Sequence, residues 1–86
     1  MSILSRLFGG GRAAPARPPV EHEGFTIHAE PIAEGARHRI AARIEKDGRS
    51  HLMIRADTLE TAELAAEASV SKARMLIDEQ GEAIFD

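Results

Sequence analysis

The chain contains no cysteine, no tryptophan and no tyrosine, and only three phenylalanines among its 86 residues. Without thiols it can form neither a disulfide framework nor a thiolate metal site, and a reducing cytoplasm is its simplest setting. So few aromatic rings leave little material for a ligand cage or a base-stacking platform. These absences direct attention to aliphatic and charged side chains.

Long hydrophobic runs are also missing, since no stretch approaches the roughly 20 apolar residues of a membrane-spanning helix. The length allows one domain, and a core of this size seldom contributes more than about 3 to 5 kcal/mol net. We therefore expect a soluble domain that is marginally stable or is helped by a partner chain.

Positive charge is unevenly distributed over a chain whose formal net charge is −3. Residues 1–20 contain three arginines and no acid, whereas residues 58–86 contain seven acids against Lys72 and Arg74. A generally basic protein surface is not indicated, so any contact with nucleic acid must come from a local patch.

Residues 1–23 are predicted to form a flexible N-terminal arm, ahead of a folded domain at residues 24–86. The arm combines a short amphipathic turn, a glycine run at 9–11 and a Pro/Ala-rich linker. Its apolar side chains are Ile3, Leu4, Leu7 and Phe8. One basic turn offers little area to a membrane, so docking on the domain or a partner is favoured over membrane contact.

Alternating apolar and polar residues predict three strands, beginning near Phe25, Arg37 and Ser50. Asp47-Gly48 predicts a two-residue turn between the second and third strands. Pro31 places the first strand at an edge of the sheet. We expect the helix-facing side to carry His38, Ile40, Ala42, Ile44, Leu52, Ile54 and Ala56, with His51, Met53, Arg55 and Asp57 opposite.

From Thr58 to about Gln80 the apolar period becomes helical. Asp57 and Glu60 resemble a capping box, and Gly81 suits the left-handed position after the last turn. The predicted fold is α+β, a three-stranded antiparallel meander packed on one long C-terminal helix (β-β-β-α). The helix should overhang the sheet, with its end covered by Ala83-Ile84-Phe85 or by the N-terminal apolar residues.

Basic side chains cluster on the predicted outer face of the sheet, where they are candidates for contact with nucleic acid or a protein partner. The candidates are Arg37, Arg39, Arg43, Arg55 and His51. The alternative interpretation is a solvated face with cross-strand ion pairs to Glu30, Glu45 and Asp57.

Neither a metal site nor a catalytic site is predicted. The four histidines are spread over the arm and both sheet faces, so no three converge with a carboxylate. The serines lie in no nucleophile-elbow pattern, and the glycine run neither follows a strand nor precedes a Lys-Ser or Lys-Thr pair. We expect a non-enzymatic protein with no cofactor and no small-molecule substrate.

Three segments carry a resemblance to a known family: Ser5-Arg-Leu-Phe-Gly-Gly-Gly11, Ile54-Arg-Ala-Asp-Thr58, and Lys72 to Gly81 followed by Ile84-Phe85. The chain resembles, over nearly its full length, the HlyU family of short bacterial transcriptional activators. The resemblance implies a cytoplasmic bacterial protein with a regulatory role.

Two functions follow as hypotheses. The first is a non-enzymatic transcriptional regulator that binds DNA through the basic sheet face. The alternative is an interaction or assembly module that binds protein through the third strand or the helix, without DNA. The third strand has no proline and is an unprotected edge, so pairing with its copy would give a homo-oligomer.

Overall fold

Five strands and one long helix form the part of the chain that the structure, a computed structural model, describes, residues 17–86. The strands are β1 Val20–His22, β2 Phe25–Ala29, β3 Ile32–Glu34, β4 Arg37–Lys46 and β5 Arg49–Leu59. The helix α1, Ala62–Gln80, is followed by a 3-10 helix at Gly81–Phe85. The α+β class is confirmed, with an antiparallel sheet and a C-terminal helix. The amphipathic turn predicted at Ile3, Leu4, Leu7 and Phe8 lies outside the described residues.

The prediction of three strands is wrong, because the sheet continues at both ends of the first predicted strand. β2 and β3 pair with β4 in one unbroken register, from Thr26–Glu45 to Glu34–Arg37. Between them, the Glu30 amide donates to the Ala41 carbonyl at 3.0 Å. The nitrogen of the next residue, Pro31, therefore points away from β4, where no hydrogen is needed. β1 forms within the stretch assigned to the linker and pairs with β2.

Two-residue turns join the antiparallel neighbours, and their conformations explain their residues. At Asp47-Gly48 both φ angles are positive, 53° and 78°, which confirms the predicted turn. Glu23-Gly24 has the same form, and Gly35 begins the turn between β3 and β4 with φ of 61°. Turns of this kind match the right-handed twist of the flanking strands. β4 lies in the middle of the sheet, with β2 and β3 on one side and β5 on the other.

The predicted face assignment of β5 is wrong. Met53 is buried at 3% exposure, whereas Leu52 and Ile54 are 55% and 50% exposed. The cause is the two-residue turn, which pairs Lys46 with Arg49 and therefore Ala42 with Met53 and Ile44 with His51. Paired residues of an antiparallel sheet share a face, so odd-numbered residues of β5 join even-numbered residues of β4. Ala56 is exposed as well.

The helix begins later than predicted, because β5 extends through Thr58 to Leu59. Thr61 caps α1 instead of Asp57, and its side chain accepts a hydrogen bond from the Leu64 amide at 3.0 Å. This satisfies one of the amides that a helix leaves unpaired at its start. At the other end Gly81 has φ of 55°, which confirms the positive angle predicted there.

Helix and sheet enclose one small core in which Ser69 is the single buried polar residue described. Its hydroxyl accepts a hydrogen bond from the Ala41 amide at 3.0 Å and donates to the Ala65 carbonyl at 2.6 Å. Ala41 adjoins the irregularity between β4 and β5. The serine therefore supplies a buried backbone amide with a partner that an alanine would not provide.

The C-terminal segment covers the end of the core, as one of the two predicted alternatives proposed. Ile84 is 6% exposed and belongs to the core cluster. The Phe85 ring stacks on Phe25, with centroids 5.9 Å apart. Glu82 bonds Arg49 at 2.5 Å and Lys46 at 3.2 Å. These contacts attach the 3-10 helix to the turn between β4 and β5.

Candidate functional site on the outer face of the sheet

The candidate site is the sheet face turned away from α1, here called the outer face. Ile27, Ile44 and Met53 are buried on the helix side, so the residues that alternate with them lie on the outer face. They comprise Thr26, His28, Glu30, Ile32, Glu34, Arg37, Arg39, Arg43, Glu45, Leu52, Ile54 and Thr58.

Arg39 is held by a carboxylate on one side and by backbone carbonyls on the other. Its Nε and Nη2 bond the two Glu34 oxygens at 2.5 and 2.7 Å, a bidentate pair. Its Nη1 donates to the carbonyls of Arg55 and Ala56 at 3.1 and 3.0 Å. Those carbonyls lie where β5 bulges against β4, so Arg39 satisfies groups that the irregular pairing leaves free.

Arg43 is held by two carboxylates. Its Nη2 and Nε lie 2.9 and 3.2 Å from Glu30 Oε2, and its Nη1 bonds Glu45. His28 Nε2 lies 3.0 Å from the other Glu45 oxygen. The predicted ion pairs to Glu30 and Glu45 are therefore present. Glu34, rather than Asp57, provides the third carboxylate.

The remaining candidates are dispersed. Arg37 is exposed, and it donates from Nε to the Thr58 hydroxyl and from Nη2 to the Thr58 carbonyl, both at 2.7 Å. Arg55 is exposed within the bulge of β5. His51 pairs with Ile44 and lies on the helix side, which corrects its predicted position. The outer face therefore gathers three of the five candidates, Arg37, Arg39 and Arg43.

The charges of these arginines are balanced. Three carboxylates, those of Glu30, Glu34 and Glu45, accompany the three arginines, and all three form ion pairs with Arg39 or Arg43. Between and beside them lie three exposed aliphatic side chains, Ile32, Leu52 and Ile54. Sequence reasoning missed these three exposed aliphatic side chains. For Leu52 and Ile54, the length of the turn at Asp47-Gly48 was sufficient to place them on the outer face.

Two other features of the described residues bring polar groups together. An open pocket of about 350 Å³ lies between the turns at Gly24 and Gly48 and is lined by backbone and polar side chains. At the opposite side of β1, oxygen or nitrogen atoms of His22, Glu23 and Asp78 lie within 4.8 Å of one another and are the described residues best placed for a metal. His22 Nε2 bonds Asp78 Oδ1 at 2.8 Å, a contact that already fastens β1 to α1.

Glu34 should titrate at lower pH than an ordinary glutamate. The Arg39 hydrogen bonds, with a smaller contribution from its charge, hold the pKa of Glu34 below its usual value. A carboxyl with a lowered folded-state pKa stabilises the fold above its unfolded pKa, and this contribution disappears as pH falls through the folded pKa. A side-chain carboxyl NMR titration measures the shift directly.

Arg39→Gln should return the pKa of Glu34 towards the ordinary value. Arg49→Gln is the matched control, because it should raise the lowered pKa of Glu82, which depends on Arg49 and Lys46, and leave that of Glu34 unchanged. An unchanged Glu34 titration in Arg39→Gln would contradict the pairing.

The described residues form a small α+β domain, with one α-helix, a five-stranded sheet and an ion-paired outer face interspersed with aliphatic residues. Comparison with known families gives a specific assignment: the family described as "Transcriptional activator HlyU" matches residues 2–85. The chain belongs to the HlyU family, as the resemblance implied. No curated protein and no solved structure matches it. No helix among the described residues is long and apolar enough to span a membrane.

Proposed function

We propose that this chain is a non-enzymatic regulator of transcription that acts by binding a protein partner through its outer face. The regulatory role rests on membership of the HlyU family. The choice of a protein partner rests on the outer face itself, where paired arginines and carboxylates surround exposed aliphatic side chains.

The charge balance favours protein over phosphate. Phosphate binding derives its strength from basic groups that replace condensed counterions. On the outer face, Arg39 and Arg43 already have carboxylate partners, and a phosphate would have to compete with them while lying near the same carboxylates. Protein interfaces, by contrast, are enriched in arginine and combine it with apolar contacts.

The helix supports the same choice. A helix-turn-helix reader needs a second helix that enters the major groove, and residues 17–86 contain one α-helix. The exposed positions of α1 include Glu63, Glu67, Asp78 and Glu79. A helix surface of this charge is repelled by the DNA backbone.

Direct DNA binding is the second candidate, and two observations favour it. The family description is that of a transcriptional activator. In addition, Arg37 and Arg55 are exposed and bond no carboxylate among the described residues. In this candidate the two side chains would contact phosphates at the end of the sheet that carries the β5 bulge.

Transcript measurements in cells test the proposed function. Ile32→Glu places a charge on the outer face at a side chain that is 39% exposed, so the fold should survive. We expect this variant to reproduce most transcript changes caused by deletion of the gene, because a buried carboxylate without a partner opposes binding.

Met75→Glu is the matched control, since Met75 is 51% exposed and lies on α1. It should retain the wild-type transcript pattern. Equal transcript patterns for wild type and Ile32→Glu, at equal protein levels, would contradict action through the outer face. An unchanged transcript pattern on deletion would contradict the regulatory role.

A further inference from the structure

The free edge of β5 is the longest unpaired stretch of sheet in the described chain. β4 pairs with β5 on one side, and no described strand pairs with its other side. We propose that β5 of one protomer pairs antiparallel with β5 of a second copy, which joins two five-stranded sheets into one. The resulting homodimer goes beyond the proposed function, because its backbone pairing requires neither DNA nor the partner that the outer face binds, although Leu52 and Ile54 belong to both surfaces.

The backbone groups available at this edge follow from the turn at Asp47-Gly48. In a two-residue hairpin the flanking pair, Lys46–Arg49, exchanges hydrogen bonds, and such pairs then alternate along the ladder. The amides and carbonyls of residues 49, 51 and 53 are therefore directed at β4. Those of Ser50, Leu52 and Ile54 are directed at the open edge.

The opposite edge of the sheet is protected from pairing with another chain, whereas the β5 edge is not. β1 covers residues 25–27 of β2, and beyond it Pro31 lacks a donor. Proline and charge are the usual means by which proteins block edge pairing. Residues 50–54 of β5 contain neither, and Leu52 and Ile54 are about half exposed, at 55% and 50%.

Apolar contacts select one register over residues 50–54, which precede the bulge of β5. With the two-fold axis at Met53, Leu52 lies opposite Ile54 of the partner on the outer face, so that two apolar pairs flank the axis. Moving the axis to residue 52 would place Ser50 opposite Ile54, which pairs a polar with an apolar side chain. The first register makes the strand complementary to itself, as a two-fold interface requires.

The oligomeric state of the purified full chain, measured by sedimentation equilibrium without DNA, tests the proposal. At high micromolar concentration we expect a mass twice the 9.3 kDa of one chain. Leu52→Lys puts a charge on the edge, and it should raise the dissociation constant about tenfold or more. The matched control Met75→Lys, at a helix position of similar exposure, should leave it unchanged.

A monomeric wild-type chain, or dimers that persist equally in Leu52→Lys, would overturn the proposal. Circular dichroism of both variants checks that the fold is retained. Disulfide formation between introduced cysteines tests the register, because the chain has no cysteine of its own. Mixed Leu52→Cys and Ile54→Cys chains should form more of the heterodimeric disulfide than the statistical half, whereas a statistical mixture would overturn this register.

Discussion

Met53→Ala is expected to lower the free energy of unfolding by about 2 to 5 kcal/mol. The side chain is 3% exposed and belongs to the cluster that includes Ile44 and Ile77, so truncation removes its buried surface and leaves a cavity. A core of this size contributes only about 3 to 5 kcal/mol net. The variant should therefore be partly unfolded even without denaturant, as a urea titration followed by circular dichroism will show.

Leu52→Ala is the matched control, because Leu52 adjoins Met53 and is 55% exposed. At concentrations low enough to keep the chain monomeric, its free energy of unfolding should change by no more than about 0.5 kcal/mol. The reverse ranking, with Leu52→Ala the more destabilised, would mean that β5 presents its even-numbered residues to the helix.

Ile84→Ala should destabilise the fold nearly as much, by about 2 to 5 kcal/mol. Although it lies close to the end of the sequence, Ile84 is 6% exposed and packs in the core. Its removal would also loosen the neighbouring Phe85 ring, which stacks on Phe25. Thermal unfolding should show a lower midpoint.

Glu82→Gln provides the comparison for this segment. It breaks the exposed ion pairs with Lys46 and Arg49, and exposed pairs of this kind contribute little to stability. If Ile84→Ala unfolded at the wild-type midpoint, the C-terminal segment would not be a cover for the core.

The sequence was sufficient for the elements whose signals are local. Asp47-Gly48 supplied positive φ at both turn positions, and the spacing of Ala66, Ala73 and Ile77 supplied the helix. Pro31 lies at an edge of the sheet, but β2, the strand that it was expected to place there, is covered by β1 at residues 25–27. The sheet continues beyond Pro31 into β3, because an edge proline whose nitrogen faces away from the neighbouring strand breaks no ladder hydrogen bond.

The predicted face of β5 is wrong because the apolar patterns of β4 and β5 do not by themselves specify how the two strands pair. Leu52 and Ile54 outnumber Met53, and a count of apolar residues favoured them as core. The turn length decides the matter, since a slip of one residue exchanges the two faces of a strand. A two-residue turn at Asp47-Gly48 pairs Met53 with Ala42 and therefore places Met53 on the helix side of the sheet.

The pairing of the outer-face arginines depended on distant information. Glu34 lies in β3, which the prediction of three strands lacked, and only the continuous register of β3 with β4 brings it beside Arg39. Likewise, Arg39 donates hydrogen bonds to the carbonyls of Arg55 and Ala56 because β5 bulges there, and no local pattern in the sequence of β5 predicts that bulge. The arginines that make this stretch of sequence basic therefore lie on a surface where carboxylates balance their charge.

Titration of the purified full chain with duplex DNA at several salt concentrations tests most directly whether the outer face binds protein rather than phosphate. The measurement compares wild type with Arg37→Gln/Arg55→Gln, which removes the two arginines that contact phosphate in the DNA-binding candidate, and Arg74→Gln on α1 is the control. We predict that any DNA affinity, and its dependence on salt, will be the same in all three. A wild-type affinity that falls steeply with salt, together with a salt slope that the double variant alone reduces by about 0.9 for each phosphate it no longer neutralises, would contradict protein binding by the outer face.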